Sequence, residues 1–231
     1  MKLARPDVFH PRIVLAGCPG LVTGDSDDAG LVAALRHRGL HAHWLAWDDP
    51  ETLRADLVIL RATRDHAERL KEFLAWTTAV RNLLNPPAVV AWNTRPRYLD
   101  DLAERGVPTV RDRRPGADET VLIFIGGTPS HAFTQGAGLV QDEPDFEIWD
   151  AGAAVLAAAA AEVGVDVGEL LYARVHLVDG RLLAMDLVDP PLGWAHLDAD
   201  TRDGAERGFA LAVESACERL GLGPFSRPFP Q

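Results

Sequence analysis

The chain has 231 residues, 47% hydrophobic and 25% charged, enough to bury one large core or two modest ones and too apolar for wholesale disorder. Its 34 acidic against 23 basic side chains leave a net charge of −11, a field that repels a phosphate backbone and argues against nucleic acid as a partner. No stretch has the length of a membrane span, segment 1–17 lacks the apolar core of a secretory signal, and Cys18 and Cys217 stand too far apart for a disulfide framework, so the expectation is a cytoplasmic protein away from membranes.

The first half alternates strand and helix. Residues 12–17, "RIVLAG", are a short apolar run of buried-strand type. "SDDAGLVAALRHRG" (26–39) opens on Ser/Asp capping residues and ends at Gly39, which predicts a helix. "HAHWLAW" (41–47) alternates, and "ADLVILRAT" (55–63) is a second buried strand. A helix is predicted around 65–82, a break at Pro86-Pro87, a helix over 95–106 with Pro96 in its first turn, and a short strand at "VPTV". This βαβ succession predicts a doubly wound parallel sheet.

The second half differs. "ETVLIFIGGTPSHAFTQ" (119–135) predicts a hairpin turning at Gly126-Gly127, followed by a helix at about 151–163. "LYARVHLVDGRLLAMDLVDPP" (171–191) predicts a second hairpin across Asp179-Gly180, and a helix at about 203–220 closes the chain. Strand pairs mixed with helices predict an antiparallel α+β unit. The boundary falls in "RDRRPGADE" (111–119), giving domains over 1–113 and 117–231.

Candidate chemistry is sparse. There is no G-x-x-x-x-G-K-[ST] and no G-x-S-x-G, and "AGCPGLVTG" matches no dinucleotide fingerprint. Of 23 basic residues only Lys2 and Lys71 are lysines, so a lysine-dependent mechanism has two candidates. His41 and His43 share a strand face that reads as surface, and Ser130-His131 have no identifiable third partner. His176 is the conspicuous residue: a histidine inside an apolar strand, facing a strand that carries Asp186 and Asp189. His176 and Asp186, joined by His131, would make a two-histidine, one-carboxylate metal set. Parity decides whether they meet: a two-residue loop puts His176 and Asp186 on opposite faces, a three-residue loop on the same face.

Several segments, in order, resemble the bacterial ATP-grasp carboxylate–amine ligases, especially the actinobacterial group similar to glutathione and D-cycloserine-type synthetases. They are "DSDDAGLVAALRHRGL", "WDDP", "DLVILRATRD", "EFLAWTTAVRNLLNPPAVVAWNTRPRYLDDLAERGVPTV", "LIFIGGTPSHA" and "LYARVHLVDGRLLAMDLVDPP". The resemblance implies an α/β fold: a Rossmann-like pre-ATP-grasp domain, then a truncated ATP-grasp α+β body with antiparallel strands. It also exposes departures. Only "RDRRPGADE" stands where the family carries its lid subdomain, with the Gly-rich loop over the phosphates. The family's lysine after "WN" falls at Pro96, and its basic residues after "SHA" fall at Phe133, Thr134, Gln135 and Gly136. The hairpin's three metal-ligand positions become His176, Ala184 and Asp186.

Phosphoryl transfer depends on metal and cationic clamps, and magnesium prefers oxygen to imidazole. The expectation is therefore a degenerate ATP-grasp-like protein without ATP-dependent ligation, acting as a binding, regulatory or partner subunit. Arg61, Thr63, Asp65 and His131 are the candidate ligand-binding residues of an open cleft, which would take a small molecule or a protein partner, with an oligomer an open alternative. A second reading is a repurposed enzyme using Arg174, His176 and Asp186 for acid–base or transition-metal chemistry. A third is residual ligation of Mg-ATP-dependent type with a partner chain supplying the lid. No resident cofactor is expected on the first reading.

Overall fold

In the computed structural model, residues 9–111 and 119–224 are described. Two sheets organise them. A parallel sheet has the order β2-β1-β3-β4, from β1 (Ile13–Gly17), β2 (Ala42–Ala46), β3 (Leu57–Ala62) and β4 (Leu83–Leu84). An antiparallel sheet has the order β7-β6-β5-β8-β9, from β5 (Glu119–Ile125), β6 (Thr128–Gln135), β7 (Leu139–Asp142), β8 (Tyr172–Val178) and β9 (Arg181–Asp186). The mixed α/β architecture is the one the resemblance implies.

β1 and β3 are buried along their whole length, as continuous apolar runs in a sheet covered on both faces should be. One face, with Val14, Val58 and Leu60, packs on Trp47, and on Phe73 and Trp76 of α2 (Leu70–Ala79). The other face, with Ile13, Leu15 and Ile59, joins Val121, Ile123, Phe133 and Tyr172 of the antiparallel sheet in one core. Between the sheets lie α1 (Leu31–His37) and α6 (Ala199–Arg219), whose Phe209 stacks parallel to Tyr172 with ring centroids 6.5 Å apart. The far face of the antiparallel sheet packs on α5 (Phe146–Val163) through Leu122, Phe124, Val175, Val155 and Leu156. Among the described residues no helix is long and apolar enough to cross a membrane.

The helix predicted over 26–39 begins only at Leu31, because the acidic residues before it serve other parts of the chain. Asp27 accepts hydrogen bonds from the backbone N–H groups of Leu192, Gly193 and Ala195, and Asp28 pairs with Arg61. The helix predicted over 65–82 is likewise shortened, to α2. Pro86-Pro87 does not break the chain but starts α3 (Pro87–Asn93), since a proline at the first helical position forfeits no intrahelical bond. The helix predicted over 95–106 forms as α4 (Tyr98–Glu104). "VPTV" makes only a parallel bridge, Thr109 with Leu182, along the edge of β9. β7 was not predicted. α5 starts at Phe146 rather than about 151, and α6 starts at Ala199, capped by Asp198, which accepts from the N–H groups of Asp200 and Thr201. The proposed domain boundary at 113–117 lies outside the described residues.

The loop of the second hairpin has two residues, Asp179 and Gly180, both with positive φ (51° and 69°), as a right-twisting two-residue turn requires. Parity alone would then separate His176 from Asp186. The register shows otherwise: Leu177 pairs with Leu182 but His176 pairs with Ala184, so Leu183 is an extra, bulged residue. That bulge turns Ala184 and Asp186 onto the face of Arg174 and His176.

Candidate functional site

The carboxyl ends of β1 and β3 meet the segment following β9, at the edge where open α/β sheets place their ligands. The seam is made by side chains bonding to backbone. The buried amide of Asn85 donates from Nδ2 to the carbonyls of Tyr172 (3.0 Å) and Leu187 (2.8 Å) and accepts from the Leu171 N–H at 2.6 Å. Asn93 donates to the Met185 carbonyl at 3.0 Å and accepts from the Leu187 N–H at 2.8 Å.

Arg61, on β3, is fully buried: Nε donates to Asp28 Oδ1 at 2.9 Å, a terminal nitrogen donates to the Pro190 carbonyl at 3.1 Å, and the guanidinium sits 5.4 Å from the Tyr172 ring centroid. Thr63 Oγ1 donates to Asp189 Oδ2 at 3.1 Å, and His66 Nδ1 lies 3.8 Å from the other oxygen of that carboxylate. Burial, followed by the neighbouring Asp186 charge, pushes the Asp189 carboxyl up to about 6. Arg61, Arg64, His66, Asp186 and Asp189 help to line a cleft of about 240 Å³. Asp65 faces elsewhere: it accepts from Trp47 Nε1 at 2.8 Å and from Arg69 at 3.4 Å, and lines no part of this cleft.

On the adjoining sheet face, Arg174 pairs in register with Asp186 and His176 with Ala184. Arg174 Nε donates to His176 Nε2 at 3.0 Å, and Arg174 also donates to the Pro191 carbonyl at 2.6 Å. His176 Nδ1 bonds Glu119 Oε1 at 2.5 Å. With Nε2 accepting, Nδ1 carries the proton, so the imidazole is neutral. Burial pushes its pKa down, against the hydrogen bond to Glu119. Asp186 Oδ1 accepts from the Val188 N–H at 2.9 Å. His176 and Asp186 both border a cavity of about 380 Å³, which His66 and Asp186 share with the smaller cleft.

His131 stands in the same cross-strand row as Arg174, both opposite Ile123, but β5 lies between their strands. Its Nε2 contacts the Leu192 carbonyl at 2.7 Å and its Nδ1 the Ser130 hydroxyl at 2.9 Å, so it is not gathered with His176 and Asp186. Among the described residues no three His, Cys, Asp or Glu side chains are placed to hold a metal ion. His176 spends its lone pair on Arg174, which leaves Asp186 as the one oxygen-bearing side chain of the three implied ligand positions. This donor set does not fit the Mg-ATP the resemblance implies. His43 is exposed on β2 and His41 packs edge-on against His10, centroids 5.9 Å apart.

Sequence reasoning missed His66 and Glu119 as members of this constellation. Asp189, expected on the strand facing His176, lies beyond the end of β9 at Asp186 and meets Thr63 and His66 instead. His66 directly follows "RATRD". Glu119 carried no signal, because its partner lies 57 residues away.

Residues 13–85 match the family of the N-terminal domain of the D-cycloserine synthetase DcsG. The cycloserine biosynthesis protein DcsG of Streptomyces lavendulae is 33% identical over 114 residues, a match spanning 46% of this chain and 38% of that protein. The crystal structure of D-cycloserine synthetase DcsG superposes with a TM-score of 0.76 at 25% identity, over 90% of this chain and 99% of that one. D-alanine–D-alanine ligase from Bacillus anthracis, solved with ATP, shares the fold at a TM-score of 0.59 and 10% identity, over 91% of this chain and 98% of that one. The ATP-grasp ligase PsnB, solved with a precursor peptide and AMPPNP, shares it at 0.57 and 14%, over 92% of this chain and all of that one (100%). The match of residues 13–85 to the DcsG N-terminal domain, together with the two-sheet architecture shared with these ligases, supports an ATP-grasp superfamily assignment.

Proposed function

We propose that this chain is an ATP-grasp-derived cytoplasmic protein that binds a small polar ligand or a protein partner in the cleft beside Arg61, His66 and Asp189 and does not carry out ATP-dependent ligation. The observation that supports this most is the fate of His176. It stands at a position where the resemblance implies a metal ligand, and both its ring nitrogens are taken, one by Glu119 and one by Arg174. Ala184 offers no donor at the next position. Among the described residues, the metal and cationic clamps on which phosphoryl transfer depends have no equivalent set.

Thermal unfolding with and without Mg-ATP, together with an ADP-release assay, tests the reading. A ligand at about 100 times its dissociation constant adds about 2.7 kcal/mol, and a chain of this size gains roughly 2–4 °C per kcal/mol. The expected result is no shift with Mg-ATP and no ADP. A clear shift with ADP release by the chain alone overturns the proposal, and ADP release only after addition of a second chain supports ligation with a partner.

A second reading, a repurposed site, is favoured by one observation: His176 and Asp186 border the same cavity on the same face. A shift with Zn, Fe(II) or Mn alone, lost in His176→Ala, would select it.

A further inference from the structure

A cavity of about 590 Å³ lies apart from the cleft, between one face of α6 and the β5–β6 turn. Its wall includes Thr128, Ser130, Thr201, Leu211, Ser215 and Arg219. Neighbouring residues of a regular strand point to opposite faces, so Ser130 and His131 should not meet. The register of β6 breaks at this place: Ile123 pairs with His131 and Phe124 with Pro129, which leaves Ser130 as a bulged extra residue. Bulges re-aim side chains, and this one brings the Ser130 hydroxyl to 2.9 Å from His131 Nδ1.

The protonation of the pair follows from its second contact. His131 Nε2 lies 2.7 Å from the Leu192 carbonyl, which can only accept, so Nε2 carries the hydrogen. Burial pushes the His131 pKa down, so the ring is neutral and Nδ1 holds a free lone pair. Ser130 Oγ–H therefore donates to Nδ1. The ring is buried, held by Leu192 on one side and edge-on to Phe133 at 5.4 Å on another. A hydroxyl on a cavity wall, donating to a fixed neutral imidazole whose other nitrogen is anchored, is the arrangement that activates a nucleophile.

We propose that Ser130 and His131 form a nucleophile–base dyad that hydrolyses small esters entering this cavity, preferring those that carry an anionic group toward Arg219. Ser130 Oγ attacks the ester carbonyl carbon, forming the Oγ–C bond as its proton passes to His131 Nδ1. Collapse of the tetrahedral adduct breaks the bond to the alcohol oxygen, and the alcohol leaves with that proton. Water, the co-reactant, then adds to the acyl-serine with Nδ1 accepting its proton, and the carboxylic acid departs as Ser130 regains its hydrogen. The balance is ester plus water to acid plus alcohol. Arg219 also donates to the Gly168 carbonyl at 3.0 Å, which holds the cation at the cavity wall.

The experiment treats the full chain with a fluorophosphonate probe, maps the label by mass spectrometry, and follows hydrolysis of p-nitrophenyl succinate and p-nitrophenyl acetate. Ser130→Ala is the primary variant, because Ser130 is half-buried and its removal leaves the Leu192 contact of His131 in place. The expected result is label on Ser130, hydrolysis reduced roughly 100-fold or more in Ser130→Ala, and an Arg219→Met variant in which the preference for the succinate over the acetate ester falls. Absence of label at Ser130, or equal hydrolysis by the wild-type chain and Ser130→Ala, overturns the proposal. Circular dichroism of each variant separates lost chemistry from lost fold. Because the site shares no residue with the cleft, either result leaves the ligand-binding reading to its own test.

Discussion

The two sheets handle polarity in opposite ways. Every residue of β1 is apolar or glycine and buried, and β3 admits one charged side chain, Arg61, which the Asp28 carboxylate and the Pro190 carbonyl meet at once. β8 and β9 instead carry Arg174, His176 and Asp186 along one face, beside the core residues Val121 and Ile123. The parallel sheet is stabilised by burial, and apart from Arg61 its functional groups come from the loops beyond its carboxyl edge. The antiparallel sheet keeps polar groups within its strands, and they are stable there because they bond to one another. The lesson is that a polar strand face in this fold need not be an active site; it can be an internally satisfied network.

Substitutions test that contrast, and the largest effect lies at the seam. Asn85→Ala would strand two carbonyls and one N–H that its amide now serves, all buried. At 1–3 kcal/mol per unmet group, a loss of about 5 kcal/mol is expected, read as a fall in Tm of roughly 10–20 °C. Leu15→Ala, in the purely apolar sheet, should cost about 4 kcal/mol by transfer and cavity terms alone, with no dependence on pH in urea titrations. Equal pH dependence in the two sheets would break the comparison.

Arg174→Met keeps the apolar stem but leaves His176 Nε2 and the Pro191 carbonyl unpaired, for about 2–3 kcal/mol. Burial is the main reason that His176 titrates low, and Arg174 adds to it, so NMR should show the His176 pKa rising in this variant. A pKa that stays put would mean that the two side chains do not interact.

Asp189 gives a smaller effect with a definite sign. Its folded pKa, about 6, lies above the ordinary 3.8, so the folded state holds the proton more tightly than the unfolded one. Its contribution to stability is complete below about pH 4 and is lost as pH rises through about 6. Asp189→Asn should therefore be the more stable protein at pH 7, by about 1–2 kcal/mol, with the advantage gone near pH 4. An advantage that grows as pH falls would refute the assignment.

Local chemistry was legible in the sequence. The apolar runs of β1 and β3 and both hairpin turns could be read because each depends on residues within a few positions of one another. What could not be read depends on distant partners. The start of α1 moves to Leu31 because Asp27 is engaged by backbone more than 160 residues later, Leu192 N–H being 165 positions away. The side on which Asp186 falls is set by Leu183, a bulge that nothing in the alternation of "RLLAMD" announces. His176 was conspicuous on its own, but its meaning is set by Glu119, and Ser130-His131 lacked a third partner until Leu192 supplied one.

The prolines after β9 have a kinetic consequence. Arg61 and Arg174 hold the carbonyls of Pro190 and Pro191, Thr63 holds Asp189, and Asp27 gathers three amides from Leu192 to Ala195. A molecule arriving in the cleft meets a wall that is already in order. Little freedom remains there to be lost on docking, so encounter should lead directly to the final complex. Stopped-flow traces would then be single-exponential, with an observed rate rising linearly with ligand concentration, and differences in affinity among ligands would reside in how slowly each one leaves.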